Sequence, residues 1–243
     1  MNIIKINTMF VIACKYSKIH NYVINLVKSI REFHPNEEIV IVDSNSEDKS
    51  YFDEVKLYNV YIEDINNENW MIGAYWHAFK KYKRDFYYFM HDSMIVKGNM
   101  DYLKEKDLTT LCYFHRGDAN SSFNQYANRI NDETKYTYNI NGLGCYGPIF
   151  FCKYELMNNL LQKGADKILP SNKAETGFCE GAYGFYFESE GFDLRACALY
   201  GDVLENESIN GRSGQYPFNT SWEYPVEKFY ASQKSQPGDG RGW

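Results

Sequence analysis

The sequence lacks the patterns that mark several common classes of protein. No run of more than two consecutive Lys or Arg residues occurs and the formal net charge is −6, which argues against nucleic acid or an anionic membrane surface as a partner. No apolar stretch approaches the roughly 20 residues that a membrane-spanning helix requires. Residues 1–9 mix one Lys and two Asn with short apolar pieces and do not resemble a signal peptide. We therefore expect a soluble, cytoplasmic protein without a membrane segment.

The motifs of metal, disulfide and nucleophile chemistry are also missing. The six cysteines include no C-x-x-C pair, so we interpret them as small buried hydrophobic residues in a reducing compartment. No H-E-x-x-H zinc motif, G-x-S-x-G nucleophile elbow or Walker loop occurs. Residues 142–147 match G-x-G-x-x-G, but Pro148 and a strand-like run follow, so we reject a dinucleotide fingerprint and expect a loop that lines a pocket.

What the sequence does contain is enough apolar material for one sizeable domain. The chain has 243 residues, of which 44% are apolar and 24% charged, so it can bury a substantial core. The aromatic share of 17% consists largely of Tyr. Tyr packs on one side and hydrogen-bonds on the other, as sugar and base sites require, although a compositional bias explains it equally well. We predict one domain over residues 1–234 and a flexible tail over residues 235–243.

Predicted strands and helices alternate along the first half of the chain. Short apolar runs predict strands at residues 9–14, 39–42 and 59–62, and in the run that ends at His91. Spacings of 3.6 residues predict one helix that is capped by Ser17 and stopped by Pro35, and another over residues 69–82. This alternation predicts an α/β fold with a mostly parallel central sheet flanked by helices.

The second half is less regular. Strands are predicted at residues 109–114 and 148–153, and helices at residues 154–163 and 181–190, closed by Gly164 and Gly191 respectively. Beyond Gly201 the chain is rich in Gly, Asn, Ser and Pro, so we expect an irregular C-terminal region.

The strand-like run that ends in His91-Asp92-Ser93 is the most informative feature of the chain. Open α/β sheets bind ligands outside the carboxyl ends of their strands, which is where this aspartate is expected. Mg²⁺ and Mn²⁺ bind through one or two carboxylates together with phosphate oxygens, and His91 and Ser93 would complete a polar rim. The pattern favours a site for a nucleotide diphosphate, although Asp92 could instead only bond turn amides.

Three other carboxylates are candidates for chemistry. Asp43 follows a predicted strand, where it either accepts hydrogen bonds from a ribose or base edge or caps its own loop. Glu175 and Glu180 lie near the predicted start of a helix, among Phe and Tyr. A carboxylate there either acts as a general base toward an acceptor hydroxyl or stabilises the helix N-terminus without catalysis. We prefer Glu180 because it faces a glycine-rich, aromatic segment.

The order of these parts resembles that of nucleotide-sugar-dependent glycosyltransferases with the A-type fold, in the style of family 2, between about residues 9 and 199. The matching segments are residues 10–14, 27–30, 39–48, 73–74, 88–94 and 144–151, together with the segment around Glu180. The resemblance implies that Asp43 contacts the nucleoside and that Lys15 and Tyr16 lie against the base. It also places Gly73 in the nucleotide-binding set.

The resemblance further implies the roles of the reacting groups. Asp92 corresponds to an aspartate of the D-x-D motif that holds Mn²⁺ or Mg²⁺ and the diphosphate, with His91 beside the nucleotide. Glu180 corresponds to the catalytic base. The chain departs from the family pattern because it has one aspartate where two acidic residues are usual. Residues up to about 100 would form the nucleotide-binding half, and residues from about 101 to 234 the acceptor half.

We therefore expect a glycosyltransferase that moves a sugar from a UDP- or GDP-linked donor to the hydroxyl of a glycan or other acceptor, with inversion. Two alternatives stay open. A glycan-binding protein on a degenerate transferase scaffold would explain the incomplete acidic motif. A sugar-phosphate nucleotidyltransferase has a similar sheet, but it typically needs a glycine-rich basic loop after the first strand, and the loop at Lys15-Tyr16 has no glycine.

Overall fold

The computed structural model describes residues 6–16, 22–116, 121–203 and 225–228, without the side chains of residues 121–125, 173–174 and 227. The strands in these ranges are β1 (Thr8–Cys14), β2 (Glu38–Ser44), β3 (Tyr61–Ile65), β4 (Phe86–His91), β5 (Met94–Val96), β6 (Leu108–Thr110), β7 (Tyr113–His115), β8 (Leu143–Cys145), β9 (Phe150–Lys153) and β10 (Val226–Lys228). The α-helices are α1 (Val23–Phe33), α2 (Tyr51–Lys56), α3 (Trp70–Lys81), α4 (Ser121–Glu133), α5 (Tyr154–Gln162), α6 (Lys173–Ser189) and α7 (Leu194–Cys197). Short 3₁₀ helices cover Asp101–Glu105 and Ala165–Lys167.

Six strands form a central sheet in the order β3-β2-β1-β4-β9-β6. The first four are parallel to one another, whereas β9 runs antiparallel to both β4 and β6. Two smaller sheets pair β5 with β10 and β7 with β8. The predicted α/β fold with a mostly parallel central sheet is therefore confirmed.

Helices cover both faces of this sheet, which explains why β1 is a continuous apolar run. Alternate residues of β1 enter two separate hydrophobic clusters. One cluster contains Met9 and Val11 and is completed by residues of α3, α5 and α6. The other contains Phe10 and Ile12 and is completed by residues of α1 and α2. The sheet therefore lies between two layers of helices, and the polar residues of the candidate site lie at the ends of its strands.

The first half follows the prediction closely. Strand β1 and helix α3 match within one residue at each end, and α1 stops two residues before Pro35. Helix α1 begins at Val23, and the predicted cap Ser17 lies outside the described residues. The predicted strand at residues 59–62 is shifted to β3. Helix α2 was not predicted, because six residues with buried Tyr51 and Val55 are too few to establish a helical period.

The second half departs further from the prediction. The single strand expected at residues 109–114 is two strands, β6 and β7, which belong to different sheets. Helix α6 begins at Lys173, so the prediction that it starts at residue 181 was wrong. Both helix ends were correct: Gly164 and Gly191 follow α5 and α6 with φ angles of 87° and 91°, which glycine adopts without strain. The predicted tail lies outside the described residues.

The cysteines behave as expected from their scattered positions. All six carry free thiols, and only Cys197 is partly exposed. Within the described ranges, no helix is both long and apolar enough to cross a membrane.

Candidate active site

The candidate residues of the first half meet at one edge of the sheet. In the sheet register Ala13 lies opposite His91, and Cys14 lies opposite Asp43. The backbone N–H of Asp92 donates to the carbonyl oxygen of Ala13 at 3.1 Å. Because β1, β2 and β4 are parallel, the residues that follow them share the carboxyl edge, where open α/β sheets bind ligands.

Asp92 connects two of the loops at this edge. It is 5% exposed, and its Oδ2 accepts a hydrogen bond from the backbone N–H of Lys15 at 3.1 Å. The side chain of Lys15 is itself exposed. Burial and the nearby Asp92 carboxylate together raise the pKa of the Cys14 thiol, so that thiol stays protonated. Asp92 therefore fixes the start of the loop after β1 while lying at the sheet edge.

Asp43 lies in the interior, below the same loop. Its surface is fully buried, and its Oδ1 accepts from the backbone N–H of Ser46 at 2.8 Å. Its Oδ2 accepts from the hydroxyl of Tyr51 at 2.6 Å. Both carboxylate oxygens thus hold protein groups in place, and Asp43 fixes the loop after β2 and the first residue of α2.

Tyr16 lies on top of this network. Its backbone N–H donates to the Oγ of Ser46 at 2.7 Å, and its ring stacks on that of Tyr51 with centroids 4.6 Å apart. Tyr16 is half-buried, whereas Tyr51 is 1% exposed. A buried carboxylate therefore orients a buried ring, which in turn supports a partly exposed ring at the carboxyl edge.

A buried lysine from far along the chain joins the group at His91. The Nζ of Lys228 lies 2.6 Å from the Nδ1 of His91, and both residues are 4% exposed. Burial, and then the positive charge of Lys228, hold the pKa of His91 well below its ordinary value. The imidazole is therefore neutral, so Nδ1 accepts from the ammonium and Nε2 carries the ring proton.

Two carboxylates, those of Glu180 and Asp92, interact electrostatically with the Lys228 ammonium. Burial lowers its pKa to about 8, and the carboxylates of Glu180 and Asp92 oppose that decrease. Lys228 therefore links the residue predicted to hold the diphosphate with the residue predicted to act as base.

Glu180 is a partly buried carboxylate with a strongly raised pKa. Burial raises the pKa to about 7, against the opposing effects of a hydrogen bond from the backbone of Gly147 and the charge of Lys228. Glu180 is the eighth residue of α6, so the expectation that it lies at a helix N-terminus was wrong. Glu175 occupies the first turn instead, where its carboxylate accepts from the backbone N–H of Ser171 at 2.8 Å.

Gly147 lies between these groups. Its backbone opposes both the rise in the pKa of Glu180 and the fall in the pKa of His91. Its φ angle is +63°, and a Cβ built on it would lie 3.6 Å from the Nζ of Lys228 and 3.7 Å from the Cε1 of His91. The glycine-rich segment thus lines the cluster, and the missing side chain leaves space directly against the ammonium and the imidazole.

Gly73 has a packing role at the same edge. A Cβ on Gly73 would lie only 2.2 Å from the Oδ1 of Asn67. The Nδ2 of Asn67 donates to the Oγ of Ser44, at the end of β2, at 2.8 Å. Gly73 therefore lets the loop before α3 close against the sheet edge.

The sequence analysis missed two residues of this site. Tyr51 was assigned to no element, although a Tyr placed eight residues after Asp43 in a short helix could reach back to it. Lys228 lies in a three-residue strand after a segment rich in Gly, Asn and Ser, and no motif surrounds it. Only the pairing of β10 with β5 brings it to the site.

A divalent ion fits this site only together with a donor phosphate. Within the described ranges, no group of three or more His, Cys, Asp or Glu side chains could hold a metal ion by itself. Mg²⁺ and Mn²⁺ can nevertheless be held by a single carboxylate when phosphate oxygens and water complete the coordination. Asp92 is the residue that suits such an ion, since it is the carboxylate that follows β4.

Comparisons with known proteins give matches to solved structures only. No family model matches the chain, and no curated protein does. The chain is similar to S. aureus TarS 1-349 (16% identity, TM-score 0.45, 74% of this chain and 55% of that one). It is likewise similar to GalNAc-T7 with UDP, GalNAc and Mn²⁺ (15% identity, TM-score 0.44, 64% and 36%) and to TarS 1-349 in complex with UDP (15%, 0.41, 67% and 53%).

TarS 1-349 has been solved in complex with UDP and with UDP-GlcNAc, and GalNAc-T7 with UDP, GalNAc and Mn²⁺. This chain spans about half the length of TarS 1-349. The residues that this chain itself brings together at the carboxyl edge are His91, Asp92, Gly147, Glu180 and Lys228.

Proposed function

We propose that the chain is a glycosyltransferase that moves a sugar from a nucleotide-diphosphate sugar to an acceptor hydroxyl. The observation that carries the proposal is the position of Glu180. This carboxylate has a pKa of about 7, and its charge and that of Asp92 both act on the buried ammonium of Lys228, which lies with His91 beside Gly147. A group that exchanges protons near pH 7 thus lies beside groups suited to a diphosphate.

The nucleotide is proposed to bind across the loop after β1. The Tyr16 ring offers a flat surface for the base, and Tyr51 supports it from below. The full burial of Asp43 favours an indirect role, in which it acts through Tyr51 and Ser46 and not by touching the nucleoside. Lys15 and Gly73 act in the same way, one through its backbone N–H and the other by letting its loop close.

Glu180 is proposed to accept the proton of the acceptor hydroxyl. The acceptor oxygen then forms a bond to the anomeric carbon of the donor sugar. The bond between that carbon and the diphosphate oxygen breaks, and its electron pair leaves with the diphosphate. Attack from the face opposite the leaving group inverts the configuration. A base with a pKa near the working pH is the one best suited to this transfer.

Asp92 is the residue proposed to hold Mg²⁺ or Mn²⁺, together with oxygens of the donor. Such an ion, when bound, would neutralise negative charge on the departing diphosphate. The chain's own contribution is to keep Asp92 at the edge, where Lys15 and the end of β1 fix its position.

Turnover of nucleotide sugars tests this proposal. UDP- and GDP-sugars are incubated with the protein, with and without Mn²⁺ and sugar acceptors, and release of UDP or GDP is measured. We expect release from at least one donor, and a product of inverted anomeric configuration. Saturable binding of a glycan, with no release from any donor, would replace the proposal with the alternative of a glycan-binding protein.

A further inference from the structure

Strand β10 delivers its last residue to the candidate site with little freedom. It pairs antiparallel with β5, and Lys228 lies opposite Met94, two residues after Asp92. The backbone N–H of Lys97 donates to the carbonyl oxygen of Pro225 at 2.7 Å, and the Tyr200 hydroxyl donates to that of Val226. Val226 itself is fully buried. Lys228 is therefore held by a packed and hydrogen-bonded strand, not by a loose loop.

The surroundings of the Lys228 ammonium are suited to an anionic ligand. The Nζ of Lys228 is buried and lies 2.6 Å from the Nδ1 of His91, and an imidazole contributes no negative charge. Burying an ammonium is costly unless negative charge lies close to it. A bound anion would add negative charge beside the ammonium and so offset part of that cost.

The space beside the ammonium has a defined origin. Gly147 adopts a positive φ angle, and the Cβ that it lacks would contact both the Nζ of Lys228 and the Cε1 of His91. A glycine at this position therefore leaves space beside the ammonium. Phosphate oxygens bind strongly to charged donors of this kind.

We propose that Lys228 binds the diphosphate of the nucleotide-sugar donor, so that part of the affinity for the nucleotide persists when divalent ions are removed. This rests on the proposed function and adds to it a binding residue contributed by β10. Lys228 would act beside any ion that Asp92 recruits. Its positive charge would stabilise the leaving diphosphate, and unlike the charge of a divalent ion it is a permanent part of the protein.

Binding of UDP and GDP, measured by calorimetry in EDTA and again in Mn²⁺, tests this inference. Uridine and guanosine, which lack phosphates, serve as reference ligands. We expect the wild-type chain to bind one of the two nucleotides in EDTA, and Lys228→Met to weaken that binding about tenfold or more, as the loss of a charge-assisted hydrogen bond implies. Binding of the corresponding nucleoside should be the same in both proteins.

Two control variants accompany Lys228→Met. Lys228→Arg keeps the positive charge and should retain most of the affinity. Lys106→Met removes an exposed lysine that precedes β6, near the opposite edge of the sheet, and should leave binding unchanged. If Lys228→Met does not fold, the wild-type measurement in EDTA and the arginine variant still decide the question.

The outcomes separate the two proposals. If a nucleotide binds the wild-type chain only in Mn²⁺, or binds Lys228→Met as tightly as wild type, the role of Lys228 is overturned and the proposed function is unaffected. If neither UDP nor GDP binds with or without Mn²⁺, both proposals are overturned.

Discussion

Charged residues at the amino and carboxyl edges of the central sheet have pKa shifts with opposite causes, namely pairing at one edge and burial at the other. At the amino edge, Arg84 pairs with Glu38, and Lys104 lies 2.7 Å from both Glu37 and Asp101. The hydrogen bond from Arg84 lowers the pKa of Glu38. The pKa of Lys104 is raised by its two carboxylate partners, although burial opposes the increase. These pairs favour the charged forms of Glu38 and Lys104.

At the carboxyl edge the balance is reversed. Burial outweighs pairing there, so that the pKa of Glu180 is raised to about 7 and that of Lys228 is lowered to about 8. A cavity of about 320 Å³ lies at the amino edge, so a hollow does not by itself mark a site. Pairing therefore favours the charged forms of groups at the amino edge. At the carboxyl edge, burial brings the pKa values of Glu180 and Lys228 close to neutral pH, as chemistry at that edge requires.

The largest effect is expected from replacing Glu180, the proposed base, whose raised pKa distinguishes the carboxyl edge from the amino edge. We expect Glu180→Gln to lower the rate of sugar transfer by about 10²- to 10⁴-fold, because the glutamine cannot accept the acceptor's proton. The measurement is kcat with saturating donor and acceptor. Glu175→Gln, in the first turn of the same helix, is the matched control and should keep wild-type kcat. Equal losses in both variants would contradict the assignment.

The diphosphate side of the cluster can be tested in the same way. Asp92→Asn keeps an oxygen that can accept from the Lys15 N–H but removes the negative charge, and we expect kcat to fall about 100-fold. Glu38→Gln at the amino edge breaks a half-buried ion pair, with an expected loss of about 1 kcal/mol in unfolding free energy and no change in kcat. Wild-type turnover in Asp92→Asn would remove this residue from the mechanism.

The pH dependence of turnover sharpens the comparison further. Glu180 faces Lys228 from β10, the Cys145 thiol from β8 and the Gly147 backbone. Because burial raises its pKa to about 7, the carboxyl group is protonated below that pH and cannot act as a base. We expect kcat to fall about tenfold for each pH unit below 7. Glu38→Gln should show the same profile, and a flat profile between pH 5.5 and 7 would contradict the role of Glu180.

The smallest effect is expected at the ring stack. Tyr16→Ala removes the surface proposed for the nucleobase, and we expect KM for the donor to rise about 2- to 10-fold, as a loss of about 0.5–1.5 kcal/mol implies. Tyr16→Phe keeps the ring on Tyr51 and should bind the donor normally. Unchanged KM in the alanine variant, with a folded protein by thermal unfolding, would place the base elsewhere.

The parts of the fold that could be predicted are those fixed by local pattern. Strand β1 is apolar from Met9 to Cys14 because both of its faces are covered, and α3 shows its apolar face over three turns. The start of α6 was missed because Gly177, within its first two turns, has low helix propensity. Its N-terminal signal was nevertheless present: the side chain of Asn172 accepts from the backbone N–H of Glu175, three residues on, as a cap does.

The parts that could not be predicted depend on contacts between distant segments. A lysine in β10 carries no local mark of its position, since its role arises only from the pairing with β5. The burial of Asp43 is another example. Its place at the end of a buried strand was predicted, but nothing in the sequence showed that Tyr51 would close over it.

The position of Lys228 has a consequence for the order in which the protein is made. The strands of the central sheet all lie before residue 154, so on a ribosome the sheet can form while the last ammonium of the site is not yet synthesised. A nascent chain that stops ahead of Pro225 would therefore have the sheet but lack that charge. Binding of a nucleotide without a divalent ion would be acquired late in translation, after the architecture that supports it.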